Sequence, residues 1–556
     1  MSQEITARIL LGDEAVAQGA SDAGITAAYG YPGTPSTEIL EALMAPPPGE
    51  RRPIARWCAN EKTAFEAALG TSMVGRRALV TMKHVGLNVA ADPFMSSSLV
   101  GIAGGLVVAV ADDPGMWSSQ NEQDSRLYAD FARTFAFEPA DQQEAYDMTR
   151  EAFEVSERFQ VPVLLRLVTR LAHSRARVLT AAPLAERPLQ GRVEPASWTL
   201  LPVNARKRWK RLLSVQGDMA ARSEQGRFCK LALSDDDRGV GVLTTGIARN
   251  YYFENLPDLG FLPSHLHIGT YPAPVGLIRT LAERVKTLYV FEEGYPHVEG
   301  RLRGILPPPL AVKGKLSGDV PLDGELSPDT VRAALGLPAR PAAEAPEIAL
   351  PPRPPRLCSG CPHRDTFEAL HRALAGHPGA LVEPSALLHG SRGPAGDALV
   401  TSDIGCYTLG ALPPISIGVS CVCMGASIGM ARGAADAGYH PVVAVIGDGT
   451  FFHSGMTALA DAIAEDTDMT VVILDNEAAA MTGAQETVLP SAQIARVVLG
   501  LGAHVEHVHT LEAHPRKEDA MAEVIAREIA HRGLSVIIAH RECLEVARRR
   551  KKEAAE

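Results

Sequence analysis

Residues 445–483 read VIGDGTFFHSGMTALADAIAEDTDMTVVILDNEAAAMTG. An apolar run from Val442 to Ile446 ends in a Gly-Asp-Gly turn; a helix-length segment follows, then a second apolar run, Val471 to Leu474, and Asp475-Asn476. Two β-rich runs separated by a helix-length segment read as a βαβ unit with parallel strands. Asp448 then lies just past the carboxyl end of one strand and Asn476 just past that of the next, so both face one crevice. A carboxylate and an amide oxygen there, beside glycines that let backbone N–H groups approach, suit a Mg²⁺ that bridges to phosphate. An ordinary βα turn followed by an Asx-capped loop satisfies the same triplet.

A chain of 556 residues exceeds one hydrophobic core and predicts three or four domains. With 46% hydrophobic and 21% charged residues it reads as globular. The net charge of -11 and the lack of an extended basic stripe argue against nucleic acid as the main partner. The basic cluster Arg548 to Lys552 reads as a solvated helix end or tail. No 18-residue uncharged apolar stretch stands out; the nearest, Ser98 to Val110, is 13 residues with three glycines, which reads as buried α/β structure and predicts no membrane span. The N-terminus carries no basic region followed by an apolar core, so no export signal is expected. Eight cysteines in so long a chain do not make a disulfide framework, and a reducing cytoplasm is the default compartment.

Taken in order, Gly12 to Ala20 predicts a first helix and Ile25 to Tyr29 a strand that runs into Gly30-Tyr31-Pro32-Gly33-Thr34-Pro35, with a helix released near Ser36. Thr34 at the mouth of this turn can hold a substrate oxygen or simply cap the helix. Asn60 is a candidate N-cap that places Glu61 in the first turn of an alanine-rich helix. Its carboxylate compensates the helix dipole on the plainest reading. A strand around Ala78 to Met82 ends at Lys83-His84-Val85-Gly86-Leu87-Asn88, and Val107 to Val110 delivers Asp112-Asp113 and the polar loop Trp117 to Arg126, either a solvated surface or a site rim. Val163 to Val168 continues the alternation. These elements predict a parallel α/β domain over 1–178, a crossover arm over 179–237, and a second α/β unit over 238–337 with strands at Val240 to Thr244, Leu266 to Gly269 and Leu288 to Phe291. Seven prolines mark a linker over 338–356; a final domain spans 357–545, closed by a strand at Val536 to Ala539, and a charged tail covers 546–556.

The strings Gly12-Asp13-Glu14, YGYPGTPSTE, WCANEKTAFE, MKHVGLNVAADP, SSQNEQDSR, CSGCPH, DIGCYTLG, GDG and DNEAAAMTG occur in order over most of the chain. Together they resemble the large subunit of the indolepyruvate:ferredoxin oxidoreductase family, within the 2-oxoacid:ferredoxin oxidoreductase superfamily. The resemblance implies an α/β thiamine diphosphate enzyme in which two cofactor-binding parallel-sheet domains flank a smaller α/β domain like the C-terminal one of transketolase. It implies Mg²⁺ ligation by Asp448, Asn476 and the backbone carbonyl of Ala478, with Gly33, Gly405, Gly425, Gly447, Gly449, Met481 and Thr482 also around the cofactor. Glu61 matches the glutamate that hydrogen-bonds the aminopyrimidine and supplies acid/base work through the cofactor. Thr34 resembles the threonine that holds the substrate carboxylate, Arg126 matches more loosely as its cationic partner, and His84 and Asn88 look like polar groups beside the cofactor, a structural hydrogen-bonding role being the alternative for the last three.

The implied chemistry is oxidative decarboxylation of an aryl 2-oxo acid, with coenzyme A as acyl acceptor and electrons leaving singly. Cys358, Cys361, Cys406 and Cys543 resemble the ligands of the superfamily's proximal [4Fe-4S] cluster. Zinc, a redox-active CxxC and buried thiols remain open beside it. Cys421 and Cys423 read as core, and Cys58 and Cys229 lack metal-ligand spacing. A small gamma-type subunit, a ferredoxin or ferredoxin-like subunit and a dimer of heterodimers are the implied partners. Two departures stand out. The family's large subunit usually continues into a cysteine-dense ferredoxin-like domain, whereas this sequence ends soon after Cys543; and DNEAAAMTG carries alanine where a threonine usually precedes Ala-Met. A non-oxidative thiamine diphosphate decarboxylase or carboligase, and a non-catalytic scaffold, are the competing readings.

Overall fold

The structure, a computed structural model, describes residues 6–47, 49–50, 52–189, 195–302, 310–341, 356–375, 398–418 and 420–553. Most of the expected linker, 342–355, lies outside them, as do 190–194 of the arm and 554–556 of the tail. The chain divides into two compact units, 1–345 and 346–556.

In the first unit a seven-stranded sheet runs in the order Thr270–Tyr271, Phe135–Phe137, Val163–Val168, Leu106–Asp112, Ala78–Lys83, Ala27–Gly30 and Ile54–Trp57. All of these strands are parallel except Thr270–Tyr271. Its central strands are apolar on both faces because helices cover both sides. Chain order reverses at the neighbours Ala27–Gly30 and Ala78–Lys83, which makes their carboxyl ends the topological switch point where ligands bind in open α/β sheets. The polar group after Lys83 is a short helix, His84–Val89. The arm is more than a crossover: helices Pro202–Ser214 and Gln216–Glu224 insert Leu212 and Met219 into the first sheet's core. Lys230–Ala232 then pairs with Ser264–Ile268.

The middle sheet, ordered Ala311–Lys313, Thr287–Phe291, Val240–Thr245, Ser264–Ile268 and Lys230–Ala232, contains the three expected strands and one more on each edge. It lends Thr270–Tyr271 to the first sheet, with Tyr271 opposite Ala136. The two expected domains therefore share a sheet, and both lie within the first compact unit.

The second unit is a five-stranded parallel sheet ordered Leu399–Thr401, Val442–Gly447, Met469–Asp475, Leu534–His540 and Val508–Glu512. The last strand in sequence, Leu534–His540, is therefore interior, and Val508–Glu512, which the sequence pattern did not reveal, forms the edge. Helix Ala426–Asp436 begins from Gly425, whose φ of 86° is left-handed and whose Cβ position would fall 2.7 Å from Ser454 Cβ. The segment after Gly-Asp-Gly is helical as expected, with a π-helical turn at Phe451–Gly455. Such turns cluster beside functional sites.

Candidate active site

In the first unit, helix Glu61–Met73 is capped by Asn60, whose side chain accepts the Thr63 N–H at 2.9 Å. The cap fixes Glu61 as the first helical residue, and the side chain is 5% exposed. It passes across Gly86: a Cβ there would lie 2.6 Å from Glu61 Oε1. Gly86 is thus the glycine that admits the Glu61 side chain, and spacing alone did not single it out.

Lys83 was also passed over. It closes strand Ala78–Lys83 at the switch point, its stem runs 3.1 Å from where a Gly33 Cβ would sit, and its Nζ donates to the Ser118 carbonyl at 3.1 Å. Ser118 Oγ donates to the Thr34 carbonyl at 3.2 Å, so Gly33, Thr34, Lys83, Gly86 and Glu61 gather at one sheet end. Burial lowers the Lys83 ammonium to about 8, against the opposing pull of Asp113 and Glu61. For Asp113, burial acts upward but is outweighed by donors from Ser118, Thr169 and Ser119, so its carboxyl stays below the usual range.

His84 and Asn88 reach the polar loop. His84 Nε2 lies 3.1 Å from the Asn121 carbonyl, and Asn88 Nδ2 donates to Gln123 Oε1 at 2.7 Å while its Oδ1 accepts from the Tyr128 hydroxyl. The loop is therefore tied down rather than merely solvated.

Arg126 requires correction as a substrate-facing cation. It is 1% exposed and donates to Asp124, Thr245, Tyr271 and the carbonyls of Glu293 and Tyr295. Glu292 lies 3.1 Å away, and Arg166 beside it binds Asp112 and Glu138, both at 2.6 Å. A guanidinium fully engaged by buried carboxylates joins the first sheet to the middle domain and is not free for a substrate.

In the second unit, Gly447 is opposite Leu474, so Asp448 and Asn476 follow adjacent strand ends as expected. Asp448 is 4% exposed; its Oδ1 accepts the Gly449 N–H at 2.8 Å, while its Oδ2 has no hydrogen-bond partner. Burial, then the neighbouring Asp475 charge, push this carboxyl well above the usual range. A buried carboxylate with one oxygen free of hydrogen bonds fits the chemistry of a cation ligand. Asn476 Oδ1 accepts the Ala478 N–H at 3.3 Å, and the intervening Glu477 is left-handed at φ 62°, a turn that sets Ala478 beside the amide. Gly405 and Gly447 both lie under the buried Tyr407 ring: a Cβ would come within 2.3 Å and 2.6 Å of its Cε1. Tyr407 donates to Asp403, and Thr450 Oγ donates to the Ile404 carbonyl at 3.0 Å, which locks the DIG turn over the GDG turn. Thr482 is turned inward to Gln485 Oε1 at 2.6 Å, whereas Met481 is 54% exposed.

The four expected cysteines come together. Burial pushes the Cys406 thiol up to about 12, with Cys361, Cys543 and Cys358 adding to the rise; burial, and then Cys358 and Cys543, likewise raise Cys361. The Cys543 N–H donates to the Asn476 carbonyl at 3.0 Å, and Arg541 donates to the Gly360 carbonyl at 2.8 Å, so the cysteine turns are fastened to the Asp448–Asn476 strand ends. Among the described residues, no three of these sulfurs lie within 4.8 Å of one another. A single zinc with Zn–S bonds of about 2.3 Å would hold them roughly 3.8 Å apart. Cys421 and Cys423 are exposed, which corrects their reading as core: the apolar letters around them do not face the sheet.

Residues 403–539 match the family described as thiamine pyrophosphate enzyme, C-terminal TPP binding domain, and residues 18–199 match pyruvate flavodoxin/ferredoxin oxidoreductase, thiamine diphosphate-binding. Indolepyruvate oxidoreductase subunit IorA of Archaeoglobus fulgidus is 37% identical over 96% of this chain and 86% of its own length. The subunit of the same name from Thermococcus kodakarensis is 34% identical over 96% and 85%. A 2-oxoglutarate:ferredoxin oxidoreductase from Magnetococcus marinus superposes over 59% of this chain and 65% of its own with a TM-score of 0.47 at 16% identity. Among the described residues no helix is long and apolar enough to cross a membrane.

Proposed function

The chain belongs to the family of indolepyruvate oxidoreductase IorA subunits, thiamine diphosphate-dependent 2-oxoacid oxidoreductases, and from that premise we propose that it oxidatively decarboxylates aryl 2-oxo acids of the indolepyruvate or phenylpyruvate type. Coenzyme A takes the acyl group, and electrons leave one at a time through an iron–sulfur cluster to ferredoxin or a ferredoxin-like subunit. A small gamma-type subunit completes the enzyme, as a dimer of heterodimers in the cytoplasm. The observation that carries this reading is the tie between the two groups: the carbonyl of Asn476, beside the Asp448 carboxylate whose Oδ2 has no hydrogen-bond partner, accepts the N–H of Cys543, one of the four neighbouring cysteines.

Thiamine diphosphate, when bound, supplies a nucleophilic carbon and an electron sink. Asp448, Asn476 and the Ala478 carbonyl would hold its Mg²⁺, with Gly447, Gly449, Gly405 and Gly425 also around the cofactor. Glu61 would hydrogen-bond the aminopyrimidine and hold or release the proton that this ring needs. Cys358, Cys361, Cys406 and Cys543 would ligate the cluster, whose several irons spread thiolates further apart than one zinc does. Thr34 and Lys83 would bind the substrate carboxylate, Lys83 replacing the buried Arg126 in that role.

The test is anaerobic purification with the small subunit that co-purifies, followed by iron, sulfide and zinc analysis. About four irons and four sulfides per chain are expected, and Cys406→Ser should lose them. Zinc, or no metal, in thiamine-loaded protein together with aldehyde as the product would instead favour the non-oxidative decarboxylase.

Lys83 adds a pH signature. A 2-oxo acid anion binds the charged ammonium, so kcat/KM is expected to fall as pH rises through about 8, the value to which burial lowers this lysine. The limb should steepen to about tenfold per pH unit. Arginine stays protonated throughout, so Lys83→Arg should abolish that limb; a limb at the same pH in the variant would assign it to another group.

A further inference from the structure

Asp13, Glu38 and His173 meet outside the residues used above. Asp13 is the second residue of helix Gly12–Asp22, Glu38 lies in the first turn of helix Thr37–Met44, and His173 ends helix Thr169–His173. Gly12 makes the meeting possible: a Cβ there would fall 2.2 Å from the Leu171 carbonyl oxygen and 3.0 Å from Ala172 Cα. The start of the Glu38 helix is set from the preceding turn, by the Gly33 N–H donating to Thr37 Oγ at 3.0 Å and Ser36 Oγ donating to the Gly33 carbonyl at 2.8 Å. One ligand atom from each of the three residues lies within 4.8 Å of the others. His173 Nε2 stands 3.5 Å from Glu38 Oε2.

Asp13 is completely buried, and neither of its oxygens receives a hydrogen bond; Glu38 Oε2 has none either. Burial first, then the charge of Glu38 and its contact with Asp13, and last the Glu14 charge, raise the Asp13 carboxyl well above the usual range. Arg175 reaches Glu14 instead, at 3.9 Å. The interaction with His173 holds the Glu38 carboxyl below the usual range and raises the imidazole, so the buried Asp13 is the carboxylate left without a cationic partner. A buried carboxylate so placed is costly unless a proton or a cation joins it to Glu38.

We propose that Asp13, Glu38 and His173 bind a divalent first-row transition cation, with its remaining positions open to solvent. Two carboxylates and an imidazole suit Mn²⁺, Fe²⁺ or Zn²⁺. Donors on one ion with bonds of about 2.1 Å stand roughly 3–4 Å apart, so a small contraction of the partly exposed Glu38 and His173 side chains closes the site. The ion ties together the starts of two helices and the end of a third. Glu38 is four residues from Thr34, so the ion also braces the turn that carries Thr34.

Mn²⁺ is the probe, because it avoids thiolates and so does not report on the cysteines. Full-length chain stripped with chelator and supplied with thiamine diphosphate is titrated with Mn²⁺ and read by electron paramagnetic resonance and equilibrium dialysis. About two ions per chain are expected, one of them at Asp448. Asp13→Asn and His173→Gln should each weaken one ion by more than about 100-fold, beyond the cost of losing an outer-shell partner, while Asp448→Asn removes the other. The partly exposed His173 makes its variant the safeguard against misfolding. Unchanged Mn²⁺ binding in both Asp13→Asn and His173→Gln overturns the site. So does a protonated-carboxyl infrared band that disappears in Asp13→Asn without any Mn²⁺ bound at these residues, which would show a proton shared between Asp13 and Glu38.

Discussion

Glu61→Gln is expected to lower kcat by about 10²–10⁴, the span that one positioned acid/base group contributes, while leaving the fold intact. The side chain stays the same size, and Asn60 still caps the helix through the Thr63 N–H. The helix loses one first-turn charge, about 0.3–1 kcal/mol. What disappears is the carboxylate that would hold the aminopyrimidine proton, in a place where 5% exposure denies water as a substitute. The diagnostic measurement is hydrogen–deuterium exchange at the thiazolium carbon of the bound cofactor, followed by NMR beside steady-state rates. Exchange should slow along with kcat. Gly86→Ala should reproduce part of the loss without touching any titratable group, because its new methyl would sit 2.6 Å from Glu61 Oε1 and displace the carboxylate. An exchange rate unchanged in Glu61→Gln would remove Glu61 from acid/base work.

Much of this site was legible because its determinants are local. The GDG turn and Asn476 each follow an apolar run of strand length, and parallel pairing then puts consecutive strand ends side by side. Asn60 announces Glu61 by the same local logic, since an N-cap fixes the residue that follows it. What stayed hidden depends on contacts remote in sequence. Arg126 looks like a free cation at the end of a polar loop, and only the middle domain's Glu292, Glu293 and Tyr271 bury it. Lys83 reads as an ordinary strand-end lysine until Gly33, Ser118 and Glu61 are packed around it. The edge strand Val508–Glu512 has a half-buried, partly polar face that lacks the continuous apolar run of its interior neighbours. The helices Pro202–Ser214 and Gln216–Glu224 are mostly polar and bury little beyond Leu212 and Met219, so proline and basic residues dominated their reading.

Asp448→Asn separates stability from function at one residue, with opposite signs in the presence and absence of metal. With Mg²⁺ and thiamine diphosphate, the loss of the buried anionic ligand is expected to cost about 3–5 kcal/mol of cofactor binding, two to three and a half decades in affinity. Without metal, the same change should stabilise the protein. The folded-state carboxyl is held well above its ordinary value, first by burial and then by Asp475. A raised acid favours the folded state fully only below its unfolded pKa, and that contribution is lost as pH rises through the folded value. In the metal-free protein the ionised form of this carboxyl is therefore disfavoured by burial and by Asp475, and an amide carries no such penalty. Calorimetry should show metal-free Asp448→Asn melting above metal-free wild type, on the order of 2–4 °C for each kcal/mol relieved in a unit of this size. Adding Mg²⁺ with thiamine diphosphate should raise the wild type by mass action and leave the variant nearly unmoved. A variant that melts lower without metal, or that keeps the full cofactor-induced shift, would mean that the orphaned oxygen is satisfied by something other than a cation.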